Sequence, residues 1–343
     1  MNKIHKLFDE KFVKELFEKK VLPLYPEFKK IKKIKIVTHK KGIWEKKYYH
    51  VVIEYKTSFL TKDGKIKKLP IFCAAHHEEP RKNVHTVLKY LWESGFSRGH
   101  LTIPHPLFYS TYFRGTFYRG LKGHNFYHYI READREKIDE IIPKIAAWFA
   151  KLHSMPIGNA HNFNKKNSRI KTVVPGLKNI LARVAYHYPK HLYIYEKAYK
   201  FFIDNENKFL NNSKSKICLV HGDAHPENII KMGKKKIGVI DFADMCLSDP
   251  ARDIGSFLQQ LDYMGMRKID DRRYINKIKK VFLESYLKSA KIKLTDDFQK
   301  RIDLYYNWTS LRTATFHLLR DPAEPKRALP LIKEVKKKLK IKK

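Results

Sequence analysis

Residues 217–253 read ICLVHGDAHPENIIKMGKKKIGVIDFADMCLSDPARD, and this segment carries the most informative pattern in the chain. It contains two short apolar runs, each of which leads to a carboxylate. The first run, 217–220, leads within three residues to Asp223, and the second, 237–240, leads directly to Asp241. Carboxylates placed directly after apolar strands are candidates for a functional site, because the strands hold them in fixed positions.

The segment between the two carboxylates has the pattern of a β-hairpin. Residues 229–231 and 237–240 form apolar arms, joined by the lysine-rich turn MGKKK. Asn228 precedes the first arm and Asp241 follows the second, so antiparallel pairing would put both at one end, about 5 Å apart. Magnesium takes one or two protein oxygens and completes its shell with phosphate and water. The pattern therefore predicts a magnesium site at Asn228 and Asp241, with Asp223 on the loop that enters the hairpin.

The spacing of these groups is typical of kinases. In a kinase catalytic loop an Asp accepts the proton of the substrate hydroxyl, and an Asn five positions later binds magnesium. Asp223 and Asn228 have this spacing, and the Asp-Phe pair at Asp241 matches the second magnesium ligand. Alone, a His-Gly-Asp turn or an Asp-Phe pair is a common local feature. Their order, followed by Asp-Pro-x-x-Asp at 249–253, favours a phosphotransferase that uses ATP and Mg²⁺.

These residues resemble the aminoglycoside phosphotransferase and choline kinase superfamily of small-molecule kinases. HGDAHPEN resembles the catalytic loop of that family, and VIDFADMCLSDPARDIG resembles its metal-binding strand and the following segment. Three further segments resemble the family: LKGHNFYHYI (121–130), KIAAWFAKLHSM (144–155) and RIDLYYNWTSLRTATFHLL (301–319). The resemblance covers residues 118–319.

The resemblance implies a protein-kinase-like fold of two lobes in the α+β class. Residues 1–120 would form a small, mixed N-lobe with an antiparallel sheet and a helix that cover the nucleotide. Residues 121–343 would form a larger, mainly helical C-lobe that carries the catalytic loop, the metal site and the helices for the acceptor. The acceptor itself, a small molecule with a hydroxyl group, is not identified by the spacing, and a kinase that acts on protein is a distinct alternative.

The resemblance also implies individual roles. Asp223 would be the catalytic base, and Asn228 and Asp241 would be the magnesium ligands. His221 and Asp253 would support the loop structurally, because the second acidic residue of the DPARD segment often stabilises the catalytic loop in this family. The same segment also has the features of a simple helix start.

The N-terminal part departs from the kinase pattern. Kinases carry a lysine on the third strand that contacts the α- and β-phosphates of the nucleotide. Here the strand expected over 65–75 has no lysine near Cys73, and Pro70 is expected to interrupt its ladder. Lys68 is the candidate for this contact if a register shift directs it to the nucleotide, in which case Lys67 faces away. The missing lysine leaves open a degenerate kinase-like protein with a binding or regulatory role, including one associated with nucleic acid.

Weaker patterns predict the other N-terminal elements. Phe8, Phe12 and Phe17 recur at helical spacing and predict an amphipathic opening helix. Further predicted elements are strands at 34–39 and 48–55 and a helix at 83–95 that ends at a glycine.

Composition bounds the remaining classes. Among 343 residues, 43% are hydrophobic and 13% aromatic, which indicates an ordered globular protein. Three scattered cysteines argue against a disulfide framework or a zinc site and favour the cytoplasm. No apolar run approaches the roughly 18 residues of a membrane span, and the N-terminus has no secretory signal pattern. The formal net charge of +37 would attract anions, but its lysines are dispersed, so no specific nucleic-acid binding is expected.

Overall fold

The computed structural model describes residues 2–44, 47–78, 81–157, 163–212 and 216–342. The described strands are β1 (Phe28–Trp44), β2 (Tyr48–Thr61), β3 (Ile66–His76), β4 (Leu101–Thr102), β5 (His105–Ser110), β6 (Gly115–Arg119), β7 (His124–Asn125), β8 (Cys218–Val220), β9 (Ile229–Lys231), β10 (Ile237–Val239) and β11 (Cys246–Ser248). The described α-helices are α1 (Glu10–Lys20), α2 (Lys82–Leu91), α3 (Phe126–Arg131), α4 (Arg135–His153), α5 (Leu177–His187), α6 (Leu192–Leu210), α7 (Ala251–Lys268), α8 (Arg272–Ala290), α9 (Asp296–Leu319) and α10 (Pro325–Lys338).

The chain divides into two compact units. The first contains residues 1–124 together with 230–243, and the second contains 125–229 together with 244–343. The sequence prediction divided the chain once, after residue 120. The structure differs in grouping the segment that ends just after Asp241 with the N-terminal residues.

The first unit is built on an antiparallel sheet in the order β1–β2–β3–β6–β5. One face of this sheet packs against α1, where the ring of Phe17 lies 5.1 Å from that of Tyr55. Side chains alternate along a strand, so Ile71 and Cys73 of β3 point to this buried face. The even-numbered residues of β3 and their cross-strand neighbours form the opposite face, termed here the polar face: Lys40, His50, Glu54, Lys68, Phe72, Ala74, His76, Thr116 and Tyr118.

β1 and β2 are longer than the sequence predicted. Their register shifts in three places, between Phe28 and Lys30, Ile31 and Lys33, and Thr38 and Lys40. Each shift inserts an extra residue into the ladder, as a β-bulge does. Phe28, Ile31 and Ile34 are consequently buried at a spacing of three residues. The predicted strand at 34–39 was therefore too short, because these shifts break the regular alternation along β1.

Pro70 does not interrupt β3, contrary to the sequence prediction. Along the described residues of β2 and β3 the register runs without a shift, with Lys56 opposite Pro70 and Ser58 opposite Lys68. The Pro70 carbonyl accepts a hydrogen bond from the amide of Gly120 at 2.9 Å. The register shift expected for Lys68 is therefore absent. Alternation alone places Lys68 on the polar face.

The second unit is mainly helical, as predicted from the sequence. α4 packs against α8, and α9 packs against both α7 and α10. Trp148 of α4 and Trp308 of α9 are almost completely buried. A short antiparallel pair, β8 and β11, supports the loop at 221–228, with Val220 opposite Cys246. Among the described residues, none of the helices is both long and apolar enough to span a membrane.

Candidate active site

The loop that follows β8 makes a tight turn at Gly222. The φ angle of this residue is +82°, a conformation that favours glycine. A Cβ atom at this position would also overlap the carbonyl oxygen of Asp244. Glycine is thus required at position 222 by the local backbone geometry, and the turn that it makes leads directly to Asp223.

Asp253, in the first turn of α7, fixes this loop through hydrogen bonds. Its carboxylate accepts hydrogen bonds from the backbone amides of His221 at 2.6 Å and Gly222 at 3.0 Å. Nε2 of His153, the last residue of α4, lies 3.1 Å from the same carboxylate, and Nδ1 of His153 contacts the Tyr286 hydroxyl at 2.8 Å. Asp253 is 1% exposed, so its interactions are with the loop backbone and the core.

The environment of Asp253 favours its ionised form. Burial raises the pKa of the carboxyl, but the hydrogen bond from His153, the nearby charges of His153 and His221, and the amide of Gly222 outweigh burial. The pKa of Asp253 therefore lies below its ordinary value. An ionised carboxylate accepts these hydrogen bonds more strongly than a neutral one would.

Asp223 presents its carboxylate to a histidine and an arginine. Oδ2 lies 3.4 Å from Nε2 of His225, and Oδ1 lies 3.8 Å from Nη1 of Arg312 on α9. Nδ1 of His225 accepts the amide of Glu227 at 3.3 Å, which assigns the ring proton to Nε2. Burial raises the pKa of Asp223, but the hydrogen bond from His225 and the charge of Arg312 outweigh it. The pKa of Asp223 is held well below its usual range.

Asn228 is fixed by the same loop. Its Nδ2 donates a hydrogen bond to the backbone carbonyl of Asp223 at 3.0 Å, and its own amide donates to the carbonyl of His225 at 3.0 Å. Because a carbonyl only accepts, the atom nearest to Asp223 must be the nitrogen. Oδ1 of Asn228 is therefore directed elsewhere, and an amide oxygen is a suitable ligand for a hard cation.

The second predicted metal ligand, Asp241, belongs to the first unit. It follows β10 after one residue, and β9 and β10 are neighbouring strands, joined by a turn in which Met232 donates to Lys236 at 2.8 Å. Asp241 is exposed and has a left-handed φ of +64°. Burial and the negative charge of Asp241 raise the pKa of Tyr118 well above its ordinary value. An exposed carboxylate of this kind is accessible to a cation.

The polar face of the first unit carries positive charge. Lys68 is exposed there, whereas Ala74 occupies the region in which kinases place a lysine. Burial and the charges of Lys40, His76 and Arg81 lower the pKa of His50 to about 4. The face is thus suited to anions, although its cations are arranged differently from the kinase pattern.

A cavity of about 460 Å³ opens beside Asp223 in the second unit. Its wall combines the loop with α7 and α9, and its volume lies in the range of small-molecule sites. The residues that matter below are Asp223, His225, Gln260, Tyr263, Arg267 and Arg312.

The structure brings four of the six predicted site residues together in the second unit: His221, Asp223, Asn228 and Asp253. Asp241 and Lys68 lie in the first unit. Sequence reasoning missed Arg312, since nothing in the chain near that residue indicates a contact with Asp223. It also assigned no role to His153, although that residue ends the segment 144–155 that resembles the family.

The fold and the loop geometry define a protein-kinase-like class. The sequence profile of the phosphotransferase enzyme family matches residues 65–282, so the chain belongs to this family. This result confirms the predicted family and the α+β, protein-kinase-like fold. Comparison with curated protein sequences gives no significant match.

Solved structures of similar fold cover nearly the whole chain. Choline kinase from Cryptosporidium parvum has a TM-score of 0.59 at 11% identity, and the alignment covers 96% of this chain and 95% of that one. APH(2″)-IIa in its ternary complex with streptomycin and ATP has a TM-score of 0.53 at 17% identity, with 96% of each chain covered. Plasmodium vivax ethanolamine kinase has a TM-score of 0.53 at 15% identity, with 88% of this chain and 81% of that one covered. At these identities the similarity concerns the fold.

Proposed function

We propose that this protein transfers the γ-phosphoryl group of ATP to a hydroxyl group of a small molecule, with Asp223 as the catalytic base. The observation that carries this proposal is the carboxylate of Asp223, which lines the 460 Å³ cavity and lies 3.4 Å from His225 and 3.8 Å from Arg312. Family membership and the ATP bound in the APH(2″)-IIa complex support ATP as the donor.

The low pKa of Asp223 fits phosphoryl transfer better than early proton abstraction. A carboxylate with a depressed pKa is a weak base, but it is ionised at every working pH. In a loose transition state the attacking hydroxyl keeps its proton until late, so the main tasks of the base are to orient that hydroxyl and to accept the proton as the new bond forms. Asp253 contributes indirectly, because its hydrogen bonds to His221 and Gly222 fix the loop.

Asn228 and Asp241 are the proposed magnesium ligands. The fit rests on two features: Oδ1 of Asn228 is not used for the bond to Asp223, and the carboxylate of Asp241 is exposed. Among the described residues no group of three or more His, Cys, Asp or Glu side chains has metal-binding geometry. One or two protein ligands are sufficient for magnesium with a nucleotide, and the bound ion would neutralise phosphate charge.

The phosphates also need positive protein groups, because magnesium alone leaves the nucleotide anionic. Lys68 remains the proposed contact, since it is exposed on the polar face without any register shift. The same face carries the charges that depress the pKa of His50. A second candidate, a degenerate kinase-like binding protein, is favoured only by Ala74, which stands where a kinase lysine is expected.

The test measures ADP formation by the purified protein with ATP, magnesium and a library of hydroxyl-bearing metabolites. We expect turnover that depends on magnesium and on one acceptor class. Asp223→Ala should lower turnover about 10²–10⁴-fold, the range for removal of a general base. Asp204→Ala is the control, because Asp204 is exposed on α6, where it pairs with Lys200. Absence of magnesium-dependent ATP turnover, or an unaffected Asp223→Ala variant, contradicts the proposal.

A further inference from the structure

The cavity beside Asp223 is unusually rich in arginine. Four arginines line it, Arg267, Arg312, Arg320 and Arg327, whereas its lining carboxylates are Asp223 and Glu227. Arginine binds carboxylates and phosphates through paired hydrogen bonds and stays charged at all working pH values. The positive charge of the cavity should therefore influence which acceptors bind there.

Two of these arginines share one carboxylate of the fold. Glu324 accepts from Nη1 of Arg320 at 3.1 Å and lies 2.9 Å from Nη1 of Arg327. The same carboxylate contacts Nδ1 of His317 at 2.8 Å. Arg320 and Arg327 thus have a structural role in joining the end of α9 to the start of α10.

The other two arginines have no such partner. Among the described residues, Asp223 is the one carboxylate within ion-pair distance of Arg312, at 3.8 Å, and the Arg312 side chain is one third exposed (34%). Within the described part of the chain, Arg267 has Tyr263 as its hydrogen-bond partner, donating to its hydroxyl at 3.4 Å with the guanidinium 5.3 Å from the ring. Two guanidinium groups therefore line the cavity without a structural carboxylate of their own.

A ladder of hydrogen bonds joins the two helices that carry these arginines. It joins α7 to α9 through three pairs: Ser256–Thr309 at 2.8 Å, Gln260–Thr313 at 2.8 Å and Tyr263–His317 at 2.7 Å. The ladder extends for about 10 Å along α7, at 1.5 Å per residue. Arg312 contacts Asp223, and Arg267 lies about one helical turn beyond Tyr263, so the cavity wall carries guanidinium groups at two separate places.

From this arrangement, and resting on the proposed function, we infer that the acceptor is an anionic hydroxyl compound that carries a carboxylate or phosphate group. Its anionic group binds Arg267 while its hydroxyl contacts Asp223, beside Arg312. A carboxylate or phosphate satisfies the guanidinium groups bidentately, whereas an ammonium group would meet charge of the same sign. The inference separates this cavity from one suited to an aminoglycoside or to choline.

The experiment compares four sugars that differ in charge: glucuronate, glucose 6-phosphate, glucose and glucosamine. Binding to the full chain is measured by titration calorimetry at low salt, without nucleotide. We expect glucuronate or glucose 6-phosphate to bind at least about tenfold more tightly than glucose or glucosamine. The two anions distinguish a carboxylate site from a phosphate site.

Arg267→Gln tests the residue, and Arg273→Gln is the matched control. Arg273 is exposed on α8 and does not line the cavity, and Arg267 is exposed, so both variants should fold. Arg267→Gln should weaken anion binding about tenfold or more, the value of one charge-assisted contact, and the control should not. Equal or tighter binding of glucosamine or glucose, no binding of either anion, or unchanged affinity in Arg267→Gln overturns the inference.

Turnover separates this inference from the proposed function. If ATP is consumed with a neutral or cationic acceptor and Arg267→Gln is fully active, the phosphotransferase function holds and the anionic acceptor is wrong. If the anions bind through Arg267 but magnesium-dependent ATP turnover is absent, the anion site holds and the proposed function fails.

Discussion

Oδ2 of Asp253 lies 2.6 Å from the backbone nitrogen of His221, and this contact attaches the catalytic loop to the first turn of α7. The carboxylate is nearly inaccessible to water, and its other oxygen accepts the amide of Gly222. Both amides lie in a turn where the backbone has little freedom, because Gly222 has a positive φ angle. The position of Asp223 therefore depends on a buried charge in another element.

Replacement of that charge should destabilise the protein. Asp253→Asn keeps the size of the side chain but turns an amide group toward donors, which leaves buried N–H groups unsatisfied. We expect a loss of about 3–5 kcal/mol in the free energy of unfolding. Asp204→Asn, at an exposed position, should change it by less than about 0.5 kcal/mol. Denaturant unfolding measures both, and a loss below about 1 kcal/mol for Asp253→Asn contradicts the role assigned to Asp253.

The contribution of Asp253 should also depend on pH in a defined direction. Its folded pKa lies below the unfolded value of about 3.9, so its stabilisation is fully present above that pH and is lost as pH falls through the folded pKa. The difference in unfolding free energy between wild type and Asp253→Asn should therefore shrink below about pH 4. If this difference in unfolding free energy grows as the pH falls, Asp253 does not stabilise the fold through its ionised form.

His225 should determine the pH below which kcat/KM falls. Its Nε2 donates to the carboxylate of Asp223, and this hydrogen bond opposes the effect of burial on the pKa of Asp223. His225→Ala removes the donor, so the pKa of Asp223 rises and activity is lost at a higher pH than in wild type. The pH profile of kcat/KM measures the shift, with the exposed His187→Ala as control. Identical acid limbs in wild type and His225→Ala would show that His225 does not tune Asp223.

Magnesium dependence tests Asp241. Removal of an exposed carboxylate ligand should abolish magnesium-dependent nucleotide binding in Asp241→Ala. Cys73→Ala is the control, because Cys73 points to the buried face of the sheet in the same unit. Titration calorimetry with a non-hydrolysable ATP analogue, with and without magnesium, gives the comparison. Equal binding by wild type and Asp241→Ala in the presence and absence of magnesium excludes Asp241 as a ligand.

Site residues that lie close together in the sequence could be predicted from it. Residues that reach the site from a distant helix could not. Asp223 and Asn228 belong to one loop, and Asp241 follows the second strand after that loop, so their spacing alone indicated a kinase site. Arg312 contacts Asp223 from α9, and no local pattern marks that residue because tertiary packing alone brings it there. The contact of His153 with Asp253 was likewise not predicted, although the residue lies in a segment that resembles a helix of the family.

The same distinction explains the errors in the N-terminal part. The period-two pattern of β1 is broken by its register shifts, so the strand was predicted too short. Pro70 was expected to break β3, yet the ladder continues from Lys56 onward because one missing amide does not prevent the neighbouring pairs from forming. In both cases the sheet as a whole overrides a local rule.

The last prediction concerns the replacement of the kinase lysine. Lys68 is exposed on the polar face, whereas Lys67 has the opposite alternation and pairs with Glu27 at 3.4 Å. Because the two are adjacent and equally charged, Lys67→Ala is a matched control for Lys68→Ala. If Lys68 contacts the phosphates, Lys68→Ala alone should weaken ATP binding, by about tenfold for one charge-assisted contact, while both variants keep the stability of wild type.

ATP affinity by titration calorimetry and turnover at saturating acceptor give the two readouts for these variants. A selective loss at Lys68 means that the phosphate contact has moved to the start of β3, ahead of Pro70. Equal affinities in both variants exclude Lys68. The phosphates would then have to be held by other cations of the first unit, of which Lys40 and Arg81 already act on His50. A loss of ATP affinity in Lys67→Ala alone would contradict the assignment of Lys67 and Lys68 to opposite faces of the sheet. Alternation along β3 directs the Lys67 side chain away from the polar face.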